Sequence, residues 1–464
     1  MSAPRLTVRE IDLFERAVRL RMPFRFGVVT LTAAPQAFVR ARIRLEDGRE
    51  AAGAAAELLA PKWFDKDPTL SNDDNCEQLR GALRLAREAY LAAGPDTAFG
   101  HWRRQYAPQL AAGVRRGWNG LVAGFGPALV DRALLDALCR ALGVSFYDAM
   151  RRNLAGIGLA QFDVDDFLAR LTFAPRIAAR HTVGLLDPIT GADSAQRVGD
   201  GLPEALEEVI ERYGQRYFKL KVGGDAAADV ERLCAIAAVL DRIPGPYHAT
   251  LDGNEQYEDV EGALALWRRV KGEARLRRLA QSIMFIEQPI RRASALAQDI
   301  SALAAETPVI IDESDDSLEA FPKARALGYT GVSSKTCKGL YKSILNRARC
   351  ARWNEEEKGE RYFMSAEDLT VQAGLALQQD LALVSLLGIR HVERNGHHYV
   401  NGMAGLPPRE QEAFLAAHPD LYEKSHGAVR LSIRDGMIAT GSLACAGFAS
   451  GALPEWKEMR EMNS

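Results

Sequence analysis

Tyr217-Phe218-Lys219-Leu220-Lys221-Val222-Gly223-Gly224 opens the stretch whose reading decides the fold. Four runs of the same kind follow it: Thr250-Leu251-Asp252-Gly253-Asn254, Phe285-Ile286-Glu287-Gln288-Pro289, Val309-Ile310-Ile311-Asp312-Glu313-Ser314 and Val332-Ser333-Ser334-Lys335. Each is a short apolar β-type run that ends in a charged side chain. A helix-like segment separates each from the next, so the repeat is roughly 30 residues, the length of one βα unit.

Working outward, the alternation predicts strands at 181–186, 217–222, 248–253, 283–288, 309–313, 331–335, 361–365 and 390–394. Eight parallel strands with right-handed crossover helices make an α/β fold, a modified (β/α)8 TIM barrel, over residues 155–400. An open doubly wound sheet would also alternate, but it would not require a charge at the end of nearly every strand. Residues 1–154 read as an α+β unit, with alternating strands at 7–13 and 37–45 and helical periodicity at 77–86 and 128–138. Arg21-Met22-Pro23-Phe24-Arg25-Phe26-Gly27 is expected as a loop between the two strands. Residues 401–464 form a tail in which 430–439 reads as a hairpin around Asp435-Gly436, packed on the N-terminal β unit.

Composition narrows the function classes. Of 464 residues, 47% are hydrophobic and 26% charged, and the net charge of -2 offers no field to gather nucleic acid or an anionic membrane. Met1-Ser2-Ala3-Pro4-Arg5 leads into mixed polar sequence rather than an apolar signal core, and no apolar run is long enough to cross a bilayer. The six cysteines are scattered and read as reduced thiols. The expectation is a soluble cytoplasmic protein.

Barrel sites form at the C-terminal ends of the strands, where the βα loops gather. Consecutive strands there contribute Lys219 and Lys221, then Asp252, Glu287, Asp312, and finally Lys335. A lone acid at a strand end commonly caps the next helix. Three on successive strands, bracketed by lysines, are not explained by capping. Asp252, Glu287 and Asp312 are therefore expected as oxygen ligands of Mg²⁺, with Mn²⁺ possible, and Asn254 and Glu313 as their neighbours around the ion.

Lys219 and Lys221, two apart on a strand, share a face. Lys335 comes from the opposite side. Cations beside one another and beside a divalent ion are expected to titrate low, which makes a usable base. One lysine would remove the proton α to a carboxylate, the metal would hold the enolate charge, and the other lysine would return a proton. Lys338, one helical turn beyond the strand, reads equally as a snorkelling side chain or a site residue.

The five ordered motifs from Lys219-Leu220-Lys221 to Lys335 resemble the enolase superfamily, most closely its muconate-cycloisomerase-like subgroup in the mandelate racemase/muconate lactonizing enzyme family. The resemblance implies that the N-terminal unit and the tail form a capping domain over the barrel mouth. It also implies Lys221 and Lys335 as the acid/base pair, with Lys219 assisting, and a homo-oligomer. Several features depart from the pattern. The seventh strand, Phe363-Met364-Ser365-Ala366-Glu367-Asp368, lacks the histidine of the mandelate-racemase branch. His391-Val392-Glu393-Arg394-Asn395 lacks the Asp-x-Asp of dipeptide epimerases, and Lys335 is followed by Thr336-Cys337-Lys338-Gly339 rather than paired glycines.

Arg25, Glu393, Asn395 and His397 are candidate substrate contacts, weighed against ordinary roles as loop or satisfied polar residues. The expected activity is Mg²⁺-dependent α-proton abstraction from a small-molecule carboxylate, as a racemase, epimerase or cycloisomerase. The alternatives are an acid-sugar dehydratase, a Schiff-base aldolase using Lys335 or Lys338, and a non-catalytic barrel.

Overall fold

The computed structural model describes residues 3–26, 29–158, 163–194 and 196–462. Gly27, at the end of the expected loop, lies outside them. The chain begins with three antiparallel strands, β1 (Leu6–Phe26), β2 (Val29–Leu45) and β3 (Glu50–Leu58). Alternate side chains such as Val8, Leu13, Val39 and Ile43 are buried, which is the period of a strand with one covered face. The expected loop is instead the end of β1. After a register shift between Arg19 and Phe24, the ladder resumes with Phe24 opposite Leu31 and Arg25 opposite Thr30. Both Phe24 and Leu31 are buried. Their packing sustains the strand through residues whose charges had suggested a loop.

Three helices cover this sheet: α1 (Asn72–Leu91), α2 (Ala98–Val114) and α3 (Gly120–Leu142). Each starts on a side-chain cap, from Ser71, Thr97 and Asn119 respectively. α3 is apolar almost all round because it lies between the sheet and the other two helices. Gly53 permits the closest approach, since a Cβ there would sit 2.2 Å from the Ala137 nitrogen.

The barrel strands are β4 (Arg176–Val183), β5 (Tyr217–Lys221), β6 (His248–Asp252), β7 (Ile283–Glu287), β8 (Val309–Ile311), β9 (Gly331–Ser334), β10 (Phe363–Ala366) and β11 (His391–Glu393). They pair in parallel in chain order, and β11 returns to β4. Among the described residues no ladder joins β10 to β11, so the eight strands form a curled parallel sheet rather than a fully laddered ring. All eight strands overlap their expected positions. The first begins and ends earlier, because Ile177, Ala178 and Ala179 supply its core while Leu186, beyond its end, is 55% exposed.

The tail is corrected in detail. The turn at Asp435-Gly436 forms, with both residues in the left-handed region and Arg434 bridged to Met437. Its arms then diverge. β12 (Tyr422–Ser425) pairs with β13 (Ala428–Leu431), while β14 (Met437–Ala439) pairs antiparallel with β4 of the barrel. The last strand, β15 (Arg460–Glu461), joins β1 at the edge of the N-terminal sheet.

Candidate active site

β5 aims Lys219 and Lys221 into the barrel, where the ends of β6, β7, β10 and β11 present carboxylates. Lys219 Nζ lies 2.8 Å from Asp252 Oδ2, 2.9 Å from Glu287 Oε2, 2.6 Å from Glu367 Oε2 and 3.1 Å from Glu393 Oε2. Burial opposes the charge on Lys219, but these carboxylates outweigh it and hold its pKa well above the ordinary lysine value. Burial likewise opposes ionisation of Glu367 and Asp252. The neighbouring lysines win again: Glu367 is held well below the usual carboxylate range and Asp252 at about 2. Glu287 and Glu393 are pushed up, first by burial and then by the crowd of like charge around Glu367.

Lys221 Nζ donates to Asp252 Oδ2 at 2.5 Å. Lys335, just past the end of β9, donates to Asp312 Oδ2 at 2.7 Å and lies 2.9 Å from Glu367 Oε2. Its pKa is raised: burial lowers it, but Asp312 and Glu367 more than compensate. At Lys219 and Lys335 attraction to the carboxylates exceeds both burial and lysine–lysine repulsion, and the low titration expected beside a divalent ion concerns the loaded site. The indole of Trp63, from the segment after β3, covers Lys335 with its ring centre 4.8 Å from Nζ.

Asp252, Glu287 and Glu367 bring carboxylate oxygens within 4.8 Å of one another. Asp312, expected as the third ligand, is held outside that group. Lys335 takes one of its oxygens, and Lys338 Nζ lies 3.1 Å from the other. Lys338 therefore does not snorkel. It is buried between Asp312 and Asp315. Gln288, in the left-handed region at φ 32°, accepts from the Asp312 and Ser314 nitrogens at 2.8 and 3.0 Å and so fixes the β8 exit.

The β6 exit is equally constrained. A Cβ on Gly253 would fall 2.6 Å from Pro289 Cα, so only glycine lets the two exits touch. Asn254 and Glu255 follow with positive φ, strain of the kind that over-determined sites retain. The Asn254 nitrogen donates to Asp252 Oδ1 at 2.8 Å, and its amide donates to Glu313 Oε1 at 3.2 Å. Burial and the adjacent Asp312 push Glu313 up to about 7.

The candidate substrate contacts separate. Asn395 lines a small cavity of about 30 Å³ together with Lys221, Asn254 and Glu367. Glu393 belongs to the charge cluster instead, bonded by Thr182 and Lys219. His397 packs edge-on against Tyr213, with ring centres 4.6 Å apart, and Arg25 sits at the β1–β2 tip opposite Thr30.

Several residues escaped the sequence reading. Glu367 ends the apolar run of β10 just as Asp252 ends β6, and that signal was legible. Trp63, Lys66 and Arg292 carried none. Lys66 Nζ reaches the Asn254 carbonyl at 3.0 Å and also pairs with Glu255. Arg292 grips Glu255 while donating to the Trp63 and Phe64 carbonyls at 2.8 and 3.0 Å.

Three carboxylates with no thiolate or imidazole among them suit a hard divalent cation. Glu287 reinforces the fit, since its buried Oε1 has no hydrogen-bond partner.

The fold is a curled parallel (β/α) barrel with an N-terminal antiparallel sheet domain. Residues 201–352, from before Lys219 to beyond Lys335, match the family described as enolase C-terminal domain-like. No curated protein sequence matches the chain. Solved structures share the fold over nearly its whole length. A muconate lactonizing enzyme from Mucobacterium Smegmatis complexed with muconolactone is 17% identical, with a TM-score of 0.61 over 98% of this chain and 100% of that one. The dipeptide epimerase from Enterococcus faecalis, complexed with Mg and L-Leu-L-Tyr, is 14% identical, with a TM-score of 0.59 over 96% and 99%. The L-Ala-D/L-Glu epimerase from Bacillus subtilis is 16% identical, with a TM-score of 0.57 over 94% and 98%. Among the described residues no helix is long and apolar enough to cross a membrane.

Proposed function

We propose that the protein is a Mg²⁺-dependent enzyme of the enolase superfamily that abstracts the proton α to a carboxylate, as a racemase, epimerase or cycloisomerase. The observation that carries this reading is the placement of two lysines on one carboxylate group from different strands. Lys221 reaches Asp252 from β5, and Lys335 reaches Glu367 from beyond β9. The small cavity beneath the N-terminal unit is lined by Lys221 and Glu367, and Trp63 on its apolar part covers Lys335.

When bound, magnesium supplies the positive charge that a developing enolate requires, and Asp252, Glu287 and Glu367 would hold it. Lys221 Nζ, which lines the cavity, is placed to take the α-proton. Lys335 Nζ, held charged between Asp312 and Glu367, returns a proton or stabilises charge. Lys219 compensates the buried carboxylates and holds them in register. Trp63 and the β1–β2 tip exclude water from the lysines.

The test is ¹H NMR in D₂O with Mg²⁺ over a library of carboxylates, for wild type, Lys221→Ala and Lys335→Ala. Loss of an α-proton signal that depends on Mg²⁺ and on either lysine is expected, and the product separates isomerisation from loss of water. Exchange that persists in both variants, or that ignores chelation of the metal, would overturn the reading.

A further inference from the structure

The walls of the cavity differ in chemistry, and the difference bears on what fits. One side is the charged group formed by Lys221, Glu367 and Asp368. Apart from Asn254, Thr370 and Asn395, the rest of the lining is apolar: Phe24 and Leu31 from the β1–β2 tip, Ala60 and Trp63 from the segment after β3, and Leu369. All five are buried.

The polar lining is also mostly committed. Lys221 holds Asp252. Glu367 is claimed by Ser333, Lys219 and Lys335. Asp368 accepts from the Thr370, Asn395 and Gly396 nitrogens at 3.2, 3.0 and 3.3 Å. Asn254 and Asn395 each keep a side-chain oxygen that is buried and without a hydrogen bond.

We infer that the substrate is a compact carboxylate bearing an apolar group, with at most one or two hydrogen-bonding groups beside the carboxylate, and not a polyhydroxylated acid. The inference rests on the reading of this cavity as the active site and names the substrate class for it. The carboxylate lies toward Lys221. Its apolar group packs on Phe24, Leu31 and Trp63. An amide or single hydroxyl meets Asn254 or Asn395. A polyol acid would bury several hydroxyls against a wall with no partner for them, and each such loss costs about tenfold in affinity.

Isothermal titration calorimetry on the full chain with Mg²⁺ tests this, with N-acetyl-leucine and 2-phenylpropionate against gluconate and galactarate. The apolar acids are expected to bind about 100-fold more tightly, the sum of two or more unpaired hydroxyls. Leu31→Asn, which places a hydrogen-bonding group in the apolar wall, should shrink that preference about tenfold by restoring one partner. Thermal unfolding of the variant checks that it folds, and Trp63→Gln provides the same test from the other side of the wall. Equal or reversed preference, binding by neither class, or an unchanged preference in both folded variants would overturn the inference. Proton exchange in D₂O is scored separately. Exchange of a polyol acid would keep the proposed function and discard this substrate class. Tight binding of the apolar acids without exchange in any acid would do the reverse.

Discussion

The floor and the roof of the cavity are built by opposite means. The floor is charge on charge: lysines from β5 and from beyond β9 interlock with carboxylates from five other strand ends, nearly all at hydrogen-bonding distance and nearly all buried. The roof is apolar surface from the N-terminal unit, tied down mainly through backbone carbonyls. Arg292 reaches the Trp63 carbonyl across 229 residues of sequence. A buried charge lattice cannot lose one member without stranding the others. An apolar roof can exchange side chains at a cost set by shape alone. Chemistry therefore belongs in the floor, and choice of substrate in the roof.

The sharpest way to break this division is kinetic. Lys335→Ala or Lys221→Ala should lower the rate of α-proton exchange by about 10²- to 10⁴-fold, the usual worth of a positioned acid or base. Trp63→Ala should act mainly on KM. Should Trp63→Ala depress kcat as far as Lys335→Ala does, the roof takes part in the chemistry and the comparison fails.

The floor also makes a thermodynamic prediction. Replacing Lys219 with Met removes the one ammonium shared by Asp252, Glu287, Glu367 and Glu393. Breaking a buried ion pair from one side costs about 3–5 kcal/mol, so the midpoint of urea unfolding should fall steeply. Mg²⁺ binds the native carboxylates and not the unfolded chain, so saturating Mg²⁺ should recover part of the loss. A Lys219→Met protein as stable as wild type in EDTA would mean that these carboxylates are already protonated and need no cation.

How far the sequence could be read follows the same line between floor and roof. The strand ends were legible because each functional side chain terminates its own apolar run, so Lys221, Asp252, Glu287 and Lys335 carry a local signature. Glu367 carries it too, at the end of β10. Asp312 has the same strand-end signature, while its partner Lys338 has an inward direction that only packing decides. The roof was illegible for a different reason. Trp63 and Lys66 sit in irregular chain with no period, and their partners lie about 190 or more residues away. Phe24 reads as a loop residue because a register shift interrupts the alternation that would have marked a strand.

The latch between roof and floor should give a smaller effect. Lys66 holds the Asn254 carbonyl and Glu255 from above and is itself 28% exposed, so solvent screens part of its attraction. Lys66→Ala should raise KM about tenfold or less, with kcat nearly unchanged, since one partly exposed charged contact is worth about 1 kcal/mol. A fall in kcat without a change in KM would place Lys66 in the chemistry, through Asn254 and Asp252, rather than in closure.

The smallest expected effect lies away from both surfaces and concerns pH. His181 is buried on the outer side of β4, its ring edge-on to His398 at 4.8 Å, and burial alone pushes it down to about 3 from an ordinary 6.5. His398 is held down as well, by burial and by repulsion from His181 and Arg21. The unfolded chain takes up a proton at His181 as pH falls below about 6.5, while the folded chain does not until about 3, so protonation favours unfolding throughout that window. Stability from this residue is complete above pH 6.5 and is lost on acidification, by about 1 kcal/mol between pH 6.5 and 5.5. Urea midpoints for wild type and His181→Phe across that interval check the sign, because the variant should show a shallower acid slope whatever its absolute stability. A parallel slope would mean that His181 charges in the folded state, with its neighbours yielding to it. The polar packing behind β4 would then have to be as adaptable as the roof instead of as rigid as the floor.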